Sequence, residues 1–215
     1  MIDRPPSAAS RSATARRSSL ATPTTTTRAP SASTRRRFIA GQGTCGLEII
    51  EDAPDVAAVL VPIGGGGLAS GVAAAVRSVR PECRVIGVEP ELAADARDSL
   101  EAGRIVEWPA ELVSRTIADG TRTQSLGQRT FAHLRVLLDR IVTVSEAEIA
   151  AGVRLAAEEA RLVVEPSGAL TLAALRYHGT ELGLAGRDGP VVAVVSGGNV
   201  DPERYRELLA SPLPP

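Results

Sequence analysis

Along most of the chain, short apolar runs that predict buried strands are followed by longer segments of mixed polarity that predict helices. The apolar run 57–63 predicts a buried strand, and the mixed segment 68–79 predicts a helix. Ser145 and Glu148 form an S-x-x-E capping box at the start of a third helix. The other predicted strands are 84–88, 141–144 and 191–195, and the other predicted helices are 95–102, 146–161, 168–177 and 202–209. Strands that are apolar throughout are typical of a parallel sheet, so we expect an α/β fold: an open, mostly parallel sheet with helices on both faces.

The beginning of the chain does not follow this pattern. Residues 1–37 consist mainly of Ser, Thr, Ala, Pro and Arg and contain few large apolar side chains. Burial of so little apolar surface cannot offset the entropy lost on ordering. We therefore predict a disordered tail over 1–37 and a folded domain over 38–215. Within the domain we expect Thr44 to cap a short helix and residues 103–127 to be irregular.

Four consecutive glycines, Gly64, Gly65, Gly66 and Gly67, lie between the first predicted strand and the helix that follows it. A strand that breaks there leaves several backbone N–H groups, including that of Leu68, unpaired beside a helix N-terminus. Such amides and the positive end of the helix dipole attract a phosphate group. Because glycine has no side chain, an anion can approach the backbone closely here. The sequence therefore predicts a phosphate site here.

The same segment also fits a dinucleotide-binding pattern. Gly64, Gly66 and Ala69 match G-x-G-x-x-A after a strand, and Glu89 ends the next predicted strand, where it is placed to bind a ribose hydroxyl. Four glycines in a row satisfy many glycine patterns, however. From these residues alone, an NAD-binding domain and glycines that merely permit tight strand–helix packing both remain open.

The composition of the chain excludes one mode of cofactor binding and gives no support for several kinds of partner. All 24 basic residues are arginine, so no lysine of this sequence can hold a cofactor as a Schiff base. A net charge of −1 gives no reason to expect a nucleic-acid partner, and no apolar run is long enough to suggest a membrane span. Cys45 and Cys83 lie far apart and in no metal-binding spacing. We expect both to be reduced and buried, as in a cytoplasmic protein.

Six motifs that occur in order along the chain carry a resemblance to a known family. They are GQGTCGLEII (41–50), VPIGGGGLASG (61–71), VIGVEPE (85–91), TIADGTRTQSLG (116–127), VVEPSGAL (163–170) and VVSGGNVD (194–201). Together they resemble the C-terminal half of the pyridoxal-phosphate-dependent threonine/serine dehydratase and serine racemase family, of fold type II. This resemblance covers residues 39 to about 201, and it implies the large-domain part of the tryptophan synthase β-like fold. It favours pyridoxal phosphate over NAD.

The resemblance implies a set of cofactor-binding residues. The amides of residues 64–68 would bind the cofactor phosphate, and the Ser196 hydroxyl would meet the pyridine nitrogen. Gly120 would line another face of the cofactor, and Glu165 would be a buried carboxylate near the ring. A neutral hydroxyl at the pyridine nitrogen leaves that nitrogen unprotonated, which suits α,β-elimination or racemisation better than transamination.

The resemblance also implies a cation site near the phosphate loop. Its ligands would be Glu89, the backbone carbonyl of Ala93 and Asp95. Hard oxygen ligands completed by water suit Mg²⁺, Ca²⁺ or Mn²⁺. His133 and His178 match no catalytic position of the family, and we expect both at the surface.

Two elements of the family pattern have no match in this sequence. These are the S-F-K-type motif with the catalytic lysine and the asparagine loop that binds the substrate carboxylate. We therefore expect no catalytic residue here and no turnover by this chain alone. It would be either a truncated gene product or one part of an enzyme completed by a separately encoded N-terminal half. A non-catalytic domain that binds another phosphate ligand is the remaining alternative. The implied substrate is a small hydroxy amino acid (threonine, serine or hydroxyaspartate), the implied location is the cytoplasm, and a homodimer is compatible with the family.

Overall fold

A computed structural model of the chain describes residues 32–186 and 188–214, with side chains from residue 37 onward. The helices within these residues are α1 (Ala32–Asp52), α2 (Gly67–Val79), α3 (Asp95–Ala102), α4 (Ala110–Val113), α5 (Gln128–Leu137), α6 (Glu146–Leu155), α7 (Pro166–His178) and α8 (Pro202–Ala210). The strands are β1 (Ala58–Pro62), β2 (Arg84–Pro90), β3 (Arg140–Val144) and β4 (Val191–Ala193). None of these helices is long and apolar enough to cross a membrane.

The four strands form one sheet in the order β3-β2-β1-β4, and every neighbouring pair is parallel. Alternate side chains of β1 pack into two hydrophobic cores, one on each face of the sheet. Val59 and Val61 pack with α2 on one face, whereas Ala58 and Leu60 pack with α6 and α7 on the other. The predicted parallel sheet with helices on both faces is therefore confirmed.

Helices α1 and α2 approach each other through glycines. A Cβ atom added at Gly71 would lie 2.5 Å from the carbonyl oxygen of Ile39, and one added at Gly46 would lie 2.8 Å from that of Val72. The two backbones are therefore in direct contact, with no room for a side chain between them. This seam fixes the position of α2, whose N-terminus follows the glycine loop.

The start of the domain differs from the prediction. Helix α1 begins at Ala32, so the prediction of disorder is wrong for residues 32–37, and residues 1–31 lie outside the described part. Thr44 lies inside α1, where its hydroxyl donates to the Gly41 carbonyl at 2.8 Å, so the prediction that it caps a helix is also wrong. Docking against α2 stabilises a long helix here, and arginine is a good helix former at its start.

Two further elements differ. Helix α5 was not predicted, and β4 ends at Ala193 and is half-buried rather than buried. This strand pairs only with β1 at the edge of the described sheet, so less of its surface is covered. The segment 103–127 is largely irregular as predicted, although it contains α4 and a single 3₁₀ turn at Asp119–Thr121.

Candidate functional site

The glycine loop leaves the N-terminus of α2 without a cap. The N-cap residue is Gly66, which has no side chain to offer. Among the contacts of the described residues, no amide of residues 64–69 donates a hydrogen bond, and the first to do so is that of Ser70, to the Gly66 carbonyl. Gly65 is exposed, and a Cβ there would meet only Thr123 Cγ2, at 3.9 Å. Unpaired amides beside open space fit an anion.

The other side of the loop is tightly packed. Gly66 has a φ of 81°, which a residue with a side chain rarely adopts. A Cβ there would lie 2.9 to 3.0 Å from side-chain atoms of Thr130, Leu126 and Leu134. The Thr130 hydroxyl lies 2.8 Å from the Gly65 carbonyl oxygen. The loop is therefore packed against α5 and against Leu126, which precedes that helix.

Gly120 lies between the glycine loop and α7. Its carbonyl oxygen would be 3.4 Å from a Cβ added at Gly64, and its amide donates to Ser167 Oγ at 2.8 Å. Ser167 belongs to the first turn of α7. The structure thus brings Gly120 next to the loop, and its expected position at another face of the cofactor stays a prediction.

Glu165 joins this region to the segment that follows β4. Its Oε2 accepts a hydrogen bond from the Asn199 amide at 3.0 Å, and its own amide donates to the Gly197 carbonyl at 3.1 Å. A side chain at Gly197 would clash with the Glu165 carboxylate. Glu165 is half-buried rather than buried, because it borders a cavity of about 260 Å³ that is also lined by Arg122.

Ser196 follows β4 at the carboxyl end of the sheet, beside this carboxylate. Its side chain is exposed and has no hydrogen-bond partner among the described residues. No hydrogen bond joins Ser196 to the glycine loop among the described residues. The structure therefore leaves the Ser196 hydroxyl available to a ligand.

Glu89 is the penultimate residue of β2 and is fully buried. Its Oε1 accepts from the Ala96 amide at 3.0 Å and its Oε2 from the Arg97 amide at 2.8 Å. Both carboxylate oxygens thus bind the unpaired amides at the N-terminus of α3. Glu89 therefore stabilises the start of α3. Its carboxylate oxygens face that helix, whereas the NAD-binding alternative would require them to face a ribose.

Asp95 is the least satisfied polar group near the loop. It is fully buried, and neither carboxylate oxygen has a hydrogen-bond partner. The Thr123 hydroxyl faces this carboxylate and, as a hydrogen-bond donor, opposes part of the rise in its pKa, although it makes no hydrogen bond of ordinary length and angle. Burial raises the pKa of Asp95 to about 7. Burial, followed by the charge of Asp95, raises the pKa of Glu89 well above its usual value. Buried carboxylate oxygens without a hydrogen bond are rare in proteins, so the position of Asp95 needs an explanation.

A cation would supply the missing partner. Within the residues that the structure covers, no three His, Cys, Asp or Glu side chains form a metal cluster. Two carboxylates would therefore need a backbone oxygen and water to complete the coordination. Ala93, which is buried at the end of a 3₁₀ turn between Glu89 and Asp95, is the backbone position that the sequence predicted.

Four residues outside the site can be compared with their predictions. His133 is exposed as expected, but His178 is half-buried, with Nε2 3.1 Å from Glu148 Oε1. Cys83 is buried, whereas Cys45 is only half-buried because it lies on the outer helix α1. Both thiols are free.

Sequence reasoning missed three residues of the site: Thr123, Thr130 and Ser167. The Ser167 hydroxyl accepts from the Gly120 amide, 47 residues away, and the Thr130 hydroxyl donates to the Gly65 carbonyl, 65 residues away. The Thr123 methyl group is the nearest atom to a Cβ added at Gly65. Threonine and serine are common in turns and at helix starts, so nothing in the local sequence distinguishes these three. Only their distant partners do.

Comparison with known proteins agrees with this geometry. The sequence profile described as pyridoxal-phosphate dependent enzyme matches residues 6–197. The match begins inside the segment predicted as a tail, so it extends further toward the N-terminus than the resemblance drawn from residue 39.

Individual relatives show the same similarity. The chain is 46% identical over 164 residues to the L-threonine ammonia-lyase of Geobacter sulfurreducens, an alignment that covers 76% of this chain and 39% of the relative. It is 45% identical over 166 residues to the serine racemase of Arabidopsis thaliana, covering 77% and 49%. The chain therefore spans about half or less of the length of these curated relatives.

A solved structure shows the corresponding similarity in three dimensions. The crystal structure of a threonine deaminase from T.th. superposes with a TM-score of 0.70 at 49% identity, covering 76% of this chain and 58% of that one. The unpaired amides of the glycine loop are compatible with a family whose cofactor carries a phosphate. On these grounds the chain belongs to the pyridoxal-phosphate-dependent enzyme family.

Proposed function

We propose that this chain binds pyridoxal phosphate through residues 64–68 and forms part of an ammonia-lyase or racemase for a small hydroxy amino acid. The uncapped N-terminus of α2 carries this proposal, because residues 64–69 offer a row of amides that donate to no group of the described residues. The names of the relatives, threonine ammonia-lyase and serine racemase, support the choice of reaction.

The residues around the loop fit the cofactor. Open space at Gly65 admits a phosphate, and the exposed Ser196 hydroxyl is available to a ring nitrogen. Glu165 and Gly120 adjoin the same end of the sheet and would border the ring. Pyridoxal phosphate, when bound, supplies a ring that withdraws electrons from the α-carbon of an amino acid. A neutral hydroxyl at Ser196 would leave the ring nitrogen without a proton and so moderate that withdrawal.

Proton transfer at the substrate α-carbon requires a base that the described site does not supply. The chain has no lysine, and it spans about half the length of the relatives it matches. We therefore propose that the 215-residue chain binds the cofactor non-covalently and turns over no amino acid unaided. A second polypeptide that carries the lysine is the partner we propose for turnover, with a homodimer as the alternative assembly. Threonine, serine and hydroxyaspartate all remain candidate substrates, and the two free thiols favour a reducing, cytoplasmic location.

We further propose a divalent-cation site at Glu89, Asp95 and the Ala93 carbonyl. The two unpartnered oxygens of Asp95 support it. Mg²⁺, Ca²⁺ and Mn²⁺ all accept carboxylate, carbonyl and water oxygens. Such a cation would lie next to Thr123, and through that residue next to the glycine loop.

Titration of the purified chain with pyridoxal phosphate tests the proposal. The signal is the fluorescence of the single tryptophan, Trp108, whose amide donates to the Gln124 carbonyl at 2.8 Å in the segment that borders the loop. Pyridoxal, which lacks the phosphate, and NAD are the control ligands. We expect quenching by pyridoxal phosphate at much lower concentration than by either control.

Gly65→Ala provides a matched variant. The added methyl group would enter the open space in front of the loop and meet no protein atom closer than 3.9 Å, so we expect the fold to persist. Affinity for pyridoxal phosphate should fall about tenfold or more, which corresponds to about 1.4 kcal/mol or more. Equal affinity for pyridoxal and pyridoxal phosphate, or unchanged binding by Gly65→Ala, would contradict phosphate binding at this loop.

A further inference from the structure

We propose that Thr130 is a positioning residue that orients the glycine loop for phosphate binding. The inference rests on the proposed function, since it concerns the loop to which we assign the cofactor phosphate. Thr130 lies in the first turn of α5, a helix that the sequence did not reveal. It packs against Gly66, where an added Cβ would lie 2.9 Å from Thr130 Cβ, whereas a Cβ at Gly65 would enter open space.

The Thr130 hydroxyl lies within hydrogen-bond distance of two carbonyl groups from different parts of the chain, and its single proton is shared between them. Its Oγ1 lies 2.8 Å from the Gly65 carbonyl oxygen and 2.9 Å from the Gly127 carbonyl oxygen. Gly127 is the N-cap residue of α5. The side chain therefore ties the glycine loop to the first turn of a packed helix, across a sequence separation of 65 residues.

This contact fixes the direction of an amide as well as of a carbonyl. In a planar trans peptide unit, the C=O of one residue and the N–H of the next point in opposite directions. When the Gly65 carbonyl is held toward Thr130, the Gly66 N–H must point away from α5. That amide is one of those that donate no hydrogen bond within the described residues. Thr130 thus aims a phosphate donor without touching the ligand.

The loop needs such an anchor because it contains no side chains of its own. Glycine loses more conformational freedom on ordering than any other residue, so holding four consecutive glycines in one conformation is unfavourable without an anchor. Leu126 and Leu134 confine Gly66 by contact, but an apolar contact does not select the orientation of a peptide plane. A hydrogen bond does. Ordering the loop before the ligand arrives lowers the entropic cost of binding.

Three substitutions separate the hydroxyl from the shape of the side chain. Thr130→Val keeps the shape and removes the hydroxyl, whereas Thr130→Ser keeps the hydroxyl and removes the methyl group. Thr130→Ala removes both and raises helix propensity, so it provides a second test if the valine variant does not fold. Thr44→Val is the matched control, because it removes a hydroxyl that donates only to the Gly41 carbonyl within α1.

The first measurement is amide hydrogen exchange at Ser70 in the chain without ligand, because the Ser70 amide donates to the Gly66 carbonyl of the loop at 2.9 Å and is protected only while that carbonyl is held in place. We expect faster exchange in Thr130→Val and Thr130→Ala, and exchange like that of the unmodified chain in Thr130→Ser and Thr44→Val. The second measurement is the affinity for pyridoxal phosphate and for pyridoxal. Loss of one hydrogen bond of about 1 kcal/mol should weaken pyridoxal phosphate binding about fivefold and leave pyridoxal unaffected.

The outcomes distinguish this inference from the proposed function. If Thr130→Val and Thr130→Ala match the unmodified chain in Ser70 exchange and in affinity, the inference is overturned. It is overturned as well if Thr130→Ser loses as much as Thr130→Val, since the methyl group would then be responsible. If the unmodified chain binds no pyridoxal phosphate, the proposed function fails, and the exchange data alone decide whether Thr130 orders the loop.

Discussion

Replacement of Gly71 by alanine should destabilise the protein, although alanine is the better helix former. Gly71 lies inside α2, where it faces α1. A Cβ at this position would lie 2.5 Å from the Ile39 carbonyl oxygen and 2.6 Å from the Gly43 amide nitrogen. Both neighbours are backbone atoms of α1, so neither can move away without moving the helix.

The magnitude follows from two opposing effects. Glycine to alanine in a helix interior gains about 1 kcal/mol from backbone propensity. Against this, ordinary van der Waals contact begins at 3.4 Å, so α1 must shift by about 0.9 Å (3.4 minus 2.5 Å). Overpacking of a well-packed core costs about 1–3 kcal/mol, and a clash with rigid backbone belongs at the upper end. The net loss in the free energy of unfolding should be about 2 kcal/mol.

Gly41→Ala is the matched control on the partner helix. Gly41 is exposed in the middle of α1, and a Cβ there would meet no atom within 4 Å. The same chemical change should therefore stabilise the protein by about 1 kcal/mol. Thermal unfolding followed by circular dichroism should show Tm lower by about 4–8 °C for Gly71→Ala and higher by about 2–4 °C for Gly41→Ala. Urea titration should give the same order. A Gly71→Ala protein as stable as the unmodified chain would refute the argument that α1 and α2 meet backbone to backbone.

Two other predictions concern buried ionisable groups. Asp95→Asn removes a buried carboxyl whose pKa burial raises to about 7. We therefore expect the variant without added metal to lose less stability than the unmodified chain as the pH rises from about 4 to 8, with a gain of about 1–3 kcal/mol at pH 8. It should also lose any rise in Tm that Mg²⁺, Ca²⁺ or Mn²⁺ produces in the unmodified chain; an equal rise in both proteins would rule out Asp95 as a ligand. Burial raises the pKa of the Cys83 thiol, which is 1% exposed, so less thiolate is available for reaction. A thiol reagent should modify Cys45 first and Cys83 only on unfolding, and equal rates for both would contradict the buried position of Cys83.

Elements with a local signal were predictable from the sequence. Ser145 and Glu148 form the expected capping box, with both of its hydrogen bonds present at the start of α6. The limits predicted for 95–102 agree with α3, and those for 68–79 agree with α2 to within one residue. Capping and hydrophobic periodicity act between residues a few positions apart, so a single sequence carries them in full.

The composition of the site was predictable in part. Consecutive glycines after a buried strand predicted an anion site, and the structure leaves the amides there unpaired. The roles assigned to Ser196, Glu165 and the cation ligands rest on a resemblance and remain predictions. The structure adds that Glu165 adjoins Gly197 and Asn199, and that the carboxyl group of Asp95 is buried with neither oxygen in a hydrogen bond of ordinary geometry.

The sequence alone therefore determined the order of the four strands and of most helices, the parallel sheet and the position of the glycine loop before α2. The tertiary structure decided where α1 begins, that α5 exists and that β4 lies at the edge of the described sheet. It also decided that Thr130 holds the Gly65 carbonyl. The physical reason is the range of the interactions. Periodicity and capping depend on neighbours in the sequence, whereas helix docking, edge burial and loop orientation depend on groups that only folding brings together.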